Sequence, residues 1–94
     1  MMISMLTIEY TAQLRRSAGV AGETIELRPG ETLREVALRL ADRHGDDLRR
    51  QLVNQDGMLE RSVLVFVGDE QVTDYNAPLK DGQTITFAAP ISGG

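Results

Sequence analysis

The chain has 94 residues, 41% of them hydrophobic and 26% charged, with a formal net charge of −4. This length predicts one domain with a modest core, and an acidic balance without a basic stripe argues against nucleic acid as a partner. Cysteine is absent, which excludes disulfides, thiolate catalysis and cysteine-held zinc within the chain.

The longest strictly apolar run, Val63-Leu64-Val65-Phe66-Val67, is far shorter than the ~20 residues of a membrane-spanning helix. Met1-Met2-Ile3-Ser4-Met5-Leu6 lacks the charged start and long apolar stretch of a signal peptide. The expectation is a cytoplasmic protein with no membrane partner.

Leu6, Ile8, Tyr10 and Ala12 alternate with Thr7, Glu9 and Thr11, which predicts a strand with one buried face. Thr24-Ile25-Glu26-Leu27-Arg28 repeats the pattern, and Gly19 and Gly22 between them suggest a hairpin with a wide loop. Pro29-Gly30 ends the second strand. Thr32 reads as a helix N-cap with Glu35 completing a capping box. Leu33, Val36, Ala37, Leu40, Ala41 and His44 then share one helical face, and Gly45 stands at the C-cap.

Asp46 to Val53 predicts a short second helix, and Asn54-Gln55-Asp56-Gly57 a turn. Val63 to Val67 reads as a central strand buried on both faces. Gly68-Asp69 turns the chain into a short strand, Glu70-Gln71-Val72. Pro78 to Gly82 is a turn, and Thr84-Ile85-Thr86-Phe87-Ala88 is the last strand, with Ile85 and Phe87 inward. One long helix must bury its stripe against one face of the sheet. The expected architecture is therefore α+β: a β-grasp, or ubiquitin-like, mixed sheet of about 4–5 strands packed on one long helix. It forms a single domain over 1–94 with a flexible C-terminal Gly-Gly tail from about residue 89.

The sequence ends Ala88-Ala89-Pro90-Ile91-Ser92-Gly93-Gly94. At about 7% glycine, composition alone gives a Gly-Gly ending in about 0.5% of chains. Glycine carries no Cβ, so such a tail can enter a narrow cleft and bring its carboxylate close to a reacting group.

Three segments in order carry a resemblance. Ile8 to Gly19, Pro78-Leu79-Lys80-Asp81-Gly82-Gln83-Thr84-Ile85, and Pro90-Ile91-Ser92-Gly93-Gly94 together resemble the ubiquitin-like sulfur carriers that serve molybdopterin and thiamine biosynthesis, and of these two groups more the molybdopterin synthase small subunit. The chain departs from that family where Ala89 replaces the first of two prolines and Ala88 a bulky apolar residue. Gln83 follows the turn glycine where aspartate is frequent, and Gly68-Asp69 stands where asparagine-glycine is common.

The resemblance implies a protein cosubstrate rather than an enzyme in its own right, at most the small subunit of a molybdopterin synthase-like complex. It implies an E1-like adenylating enzyme that uses ATP to activate the Gly94 carboxylate, and a thiocarboxylate formed there from a persulfide. It also implies a sulfur-acceptor enzyme, either molybdopterin synthase large subunit-like or thiazole synthase-like. No cofactor is expected to be bound to the chain itself. Gly93 and Ser92 would give the tail access, and Pro90 would stiffen its exit from the sheet. Two rivals share the fold: a ubiquitin-like modifier joined through Gly94 to lysines of other proteins, and an interaction domain with an inert tail. Lys80 is the sole lysine, which mildly favours the carrier.

Other chemistry-bearing residues read as structural. His44, the only histidine, stands at a helix end, where a cation suits the dipole, and no second histidine or cysteine exists for a metal site. Asp46-Asp47 and Asp69-Glu70 are turn or cap acids. Ser92 has no activating base nearby in sequence. The expected docking surface is the open sheet face, with Leu64, Phe66, Val72 and Ala88 as candidates. The sequence leaves open which alternate set of Val63–Val67 faces outward.

Overall fold

In β1 (Met5–Tyr10), Leu6, Ile8 and Tyr10 are buried while Met5, Thr7 and Glu9 face outward, as period-two alternation requires. The computed structural model describes residues 3–89. The strand stops before Ala12. That residue takes a left-handed backbone, φ 49°, and opens a seven-residue helix, α1 (Ala12–Ala18). Leu14 anchors α1 in the core, and Gly19, with φ 80°, closes it by donating its N–H to the Arg15 carbonyl. The expected wide hairpin loop is therefore mostly helix, and Ala12 is exposed rather than the last inward residue of a strand. Strand β2 (Gly22–Glu26) returns antiparallel to β1.

The long helix α2 (Leu33–His44) begins at the predicted capping box. Thr32 Oγ1 accepts the Glu35 N–H at 3.3 Å, and Glu35 Oε1 accepts the Thr32 N–H at 3.1 Å. Leu33, Val36, Ala37, Leu40 and Ala41 are buried on its sheet-facing side, each large one contributing about 1.5–3 kcal/mol. Gly45 ends the helix, its N–H bonded to the Ala41 carbonyl. The predicted short helix follows as α3 (Asp46–Leu52), with Leu48 and Leu52 buried.

Strands β3 (Leu64–Val67), β4 (Glu70–Gln71) and β5 (Thr84–Ala88) complete one mixed sheet in the order β2-β1-β5-β3-β4. β1 and β5 run parallel, and every other pair is antiparallel. The centre is thus β5, with Ile85 and Phe87 fully buried as predicted. β3 corrects the expectation of a central strand buried on both faces: it lies between β5 and β4. Val65 is buried, Leu64 is 37% exposed and Phe66 is partly exposed. The helices cover one face of the sheet only, so every second residue of β3 is left uncovered. This five-stranded sheet wrapped on α2 is a β-grasp. Among the described residues no helix is long and apolar enough to cross a membrane.

Candidate functional site

The last strand before the Gly-Gly ending, β5, lies in the middle of the sheet. β5 is held on one side by β1, where Tyr10 pairs with Phe87, and on the other by β3, where Leu64 pairs with Ala88. The Thr11 N–H donates to the Phe87 carbonyl at 3.2 Å. Phe87 is buried and stacks on Tyr10 with ring centroids 6.2 Å apart. Ala89 packs, partly buried, against the core. Thr11 and Ala12 follow the Tyr10–Phe87 pair, so the start of α1 stands beside the root of the tail. Sequence reasoning missed that element; Leu14 and Ala18 at i, i+4 with Gly19 as C-cap were the signal available. The tail residues singled out from the sequence, Pro90, Ser92, Gly93 and Gly94, lie outside the described residues.

Beside that root the uncovered sheet face is apolar. Leu64 lies opposite Ala88, and Phe66 lies opposite Thr86 one step further in. These three candidates, Leu64, Phe66 and Ala88, come together at the end of β5. Toward β1 the face turns polar: Thr86 Oγ1 donates to Glu9 Oε2 at 3.4 Å. Val72 does not join them. It packs against the core cluster on the helix side, because the register pairs Phe66 with Gln71 and so places Gln71 on the open face.

The one histidine belongs to a knot of side chains behind the root. Glu23 of β2 accepts the Tyr10 hydroxyl at 2.8 Å, pairs with His44 at the end of α2, and meets Arg43 Nε at 3.4 Å. His44 also stands edge-on to the Tyr10 ring at 6.0 Å. Burial, then the hydrogen bond and charge of Glu23, push the Tyr10 phenol far above its ordinary pKa. The knot ties β1, β2 and α2 together. Among the described residues no serine or threonine hydroxyl is bonded to His44, and no group of three or more His, Asp or Glu stands close enough to hold a metal. What the described residues bring together here is the end of β5, held on both flanks, and an apolar patch beside it.

Comparison with known proteins accords with this geometry. The ThiS family model matches residues 8–94. SAMP1 of Haloferax volcanii shares the fold at a TM-score of 0.85 and 20% identity, over 96% of this chain and 99% of that one. A Pyrococcus furiosus protein described as molybdopterin converting factor, subunit 1, aligns at 0.74 and 26% identity, over 94% and 99% of the two chains. A chain of the Amycolatopsis orientalis BexX/CysO complex aligns at 0.71 and 29% identity, over 95% and 99%. No curated protein sequence matches the chain. With the family model spanning all but its first seven residues, and the same small sheet-and-helix fold in each neighbour, this chain belongs to the ThiS family of ubiquitin-like proteins.

Proposed function

We propose that this chain is a sulfur carrier that works through the carboxylate of Gly94. A carboxylate is a poor acyl donor, because its leaving group would be oxide. A separate E1-like enzyme uses ATP to convert it into an acyl adenylate and releases pyrophosphate. A persulfide sulfur then displaces AMP to give an acyl disulfide. A thiol cleaves the S–S bond, is itself oxidised to a disulfide, and leaves a thiocarboxylate on Gly94. That sulfur is the nucleophile delivered to a precursor bound by an acceptor enzyme, of molybdopterin synthase large subunit or thiazole synthase type. The carrier contributes the reacting atom and a handle; the catalytic groups belong to its partners.

The observation that carries this reading is the family match running to Gly94 through the Gly93-Gly94 ending. The rooted β5 and the Leu64, Phe66 and Ala88 patch support it as the face that partners grip while the tail enters their sites. A relative described as molybdopterin converting factor, subunit 1, favours a molybdopterin-type acceptor. Work in the cytoplasm, as one domain with no bound cofactor, completes the proposal.

The test is the intact mass of the protein purified from its own host. A species in which sulfur has replaced one oxygen, localised to the last peptide, is the expected result. A Gly94–lysine branched peptide in digests establishes a protein modifier instead. If removal of Gly94 leaves growth and every bound partner unchanged, neither activity of the tail survives.

A further inference from the structure

On the helix side of the sheet, beside β4, a groove of about 300 Å³ opens to solvent. Leu33, the buried first residue of α2, forms its floor, and Val67, Val72 and Leu79 form partly exposed apolar walls. Glu70 and Asp74 stand exposed on the rim, and no lysine or arginine lines the groove. Neither acid takes part in an ion pair among the described residues. An apolar slot under uncompensated negative charge fits a partner that is apolar and cationic at once.

The backbone beside the slot is also available. β4 is the last strand of the sheet. Val72 donates its N–H to the Val65 carbonyl at 2.8 Å, and Gln71 lies opposite Phe66. Antiparallel pairs alternate between bonded and non-bonded, so the Gln71 N–H and C=O turn away from β3 toward the outer edge. An extended segment laid along that edge pairs with Gln71. Its residues opposite Glu70 and Val72 then share the groove side, two positions apart.

We infer that this groove and the β4 edge together receive an extended segment of a partner protein, with an apolar side chain opposite Val72 and an arginine or lysine two residues away opposite Glu70. The site lies on the other side of the sheet from Leu64, Phe66 and Ala88 and does not depend on the carrier reading.

The test titrates the isotope-labelled full chain, followed by amide NMR, with an end-blocked peptide of sequence arginine-threonine-leucine-threonine-arginine up to millimolar concentration. Shifts concentrated at Gln71, Val72 and Leu79 are expected. A Glu70→Arg, Asp74→Arg double variant, altered only at exposed positions, should bind about 3- to 10-fold more weakly. Exchanging the peptide's arginines for glutamates, or its leucine for alanine, should weaken binding as well, whereas Leu64→Arg should leave it intact. The inference is overturned if no amide moves at the highest concentration, if shifts fall on Leu64 and Phe66 instead, or if the double variant binds as tightly as the parent. None of these outcomes bears on Gly94, whose chemistry is read by mass.

Discussion

Removing the Tyr10 hydroxyl should cost stability at neutral pH and return it in alkali. In the folded chain the phenol is buried and donates to Glu23 at 2.8 Å. A hydrogen bond to a charged acceptor is worth about 1.5–3 kcal/mol, and Tyr10→Phe should lose about that much at pH 7. Burial and Glu23 raise the folded pKa of the phenol, whereas the unfolded chain ionises near pH 10. The stabilising contribution is therefore complete below about pH 10. Above it the unfolded chain releases a proton that the folded chain keeps, and each further pH unit costs about 1.4 kcal/mol until the folded pKa is reached. Tyr10→Phe lacks this loss, so the two stability curves should converge and cross at about pH 11–12. Urea unfolding followed by circular dichroism, at intervals from pH 7 to 12, measures the gap directly. A gap that stays constant to pH 12 would show that folding does not hold the phenol protonated, and the account of the Glu23 knot would fail.

Thr32→Ala removes one half of the capping box and should cost about 1 kcal/mol in urea unfolding, with α2 fraying from its first turn in hydrogen exchange. Gly22→Ala places a Cβ 2.7 Å from the Ile8 carbonyl oxygen. It should destabilise by about 1–3 kcal/mol, although alanine ordinarily outperforms glycine inside a strand; an unchanged or raised denaturation midpoint would show that β1 and β2 separate easily there. Leu64→Arg alters a side chain that is 37% exposed. It should leave stability within about 0.5 kcal/mol while lowering the fraction of chains from the native host that carry sulfur; a normal sulfur fraction would remove the patch from partner docking.

Helix α2 was legible residue by residue, because its cap, apolar stripe and terminal glycine all signal the same element. The inward set of β5 was equally plain. α1 was not: it is short, only Leu14 is fully buried, and its turn out of β1 depends on a left-handed alanine instead of a glycine. β3 concealed its exposed side because Val63 to Val67 is apolar throughout, and only pairing with β4 and β5 decides that Leu64 and Phe66 face outward. The same pairing separates Val72 from them, although the sequence alone groups all three in one patch. Strand order lies beyond local patterning, since the parallel contact of β1 with β5 joins residues nearly a chain length apart. Of the candidate site, the sequence names Leu64, Phe66 and Ala88, which do meet at the end of β5, whereas Val72, grouped with them, lies on the other face. The knot around Glu23 gathers three elements that no spacing rule connects.

The place of β5 has a mechanical consequence. A partner that draws on the chain beyond Ala89 pulls on a strand with neighbours on both flanks. Because β1 lies parallel to β5, traction that separates the two ends of the chain slides these strands past one another, and their hydrogen bonds share the load at once. An antiparallel pair pulled apart at its adjacent ends would instead open its bonds one by one, like a zip. Stretched between its two ends, the sheet is therefore loaded in shear at its centre, the geometry in which many bonds must yield together.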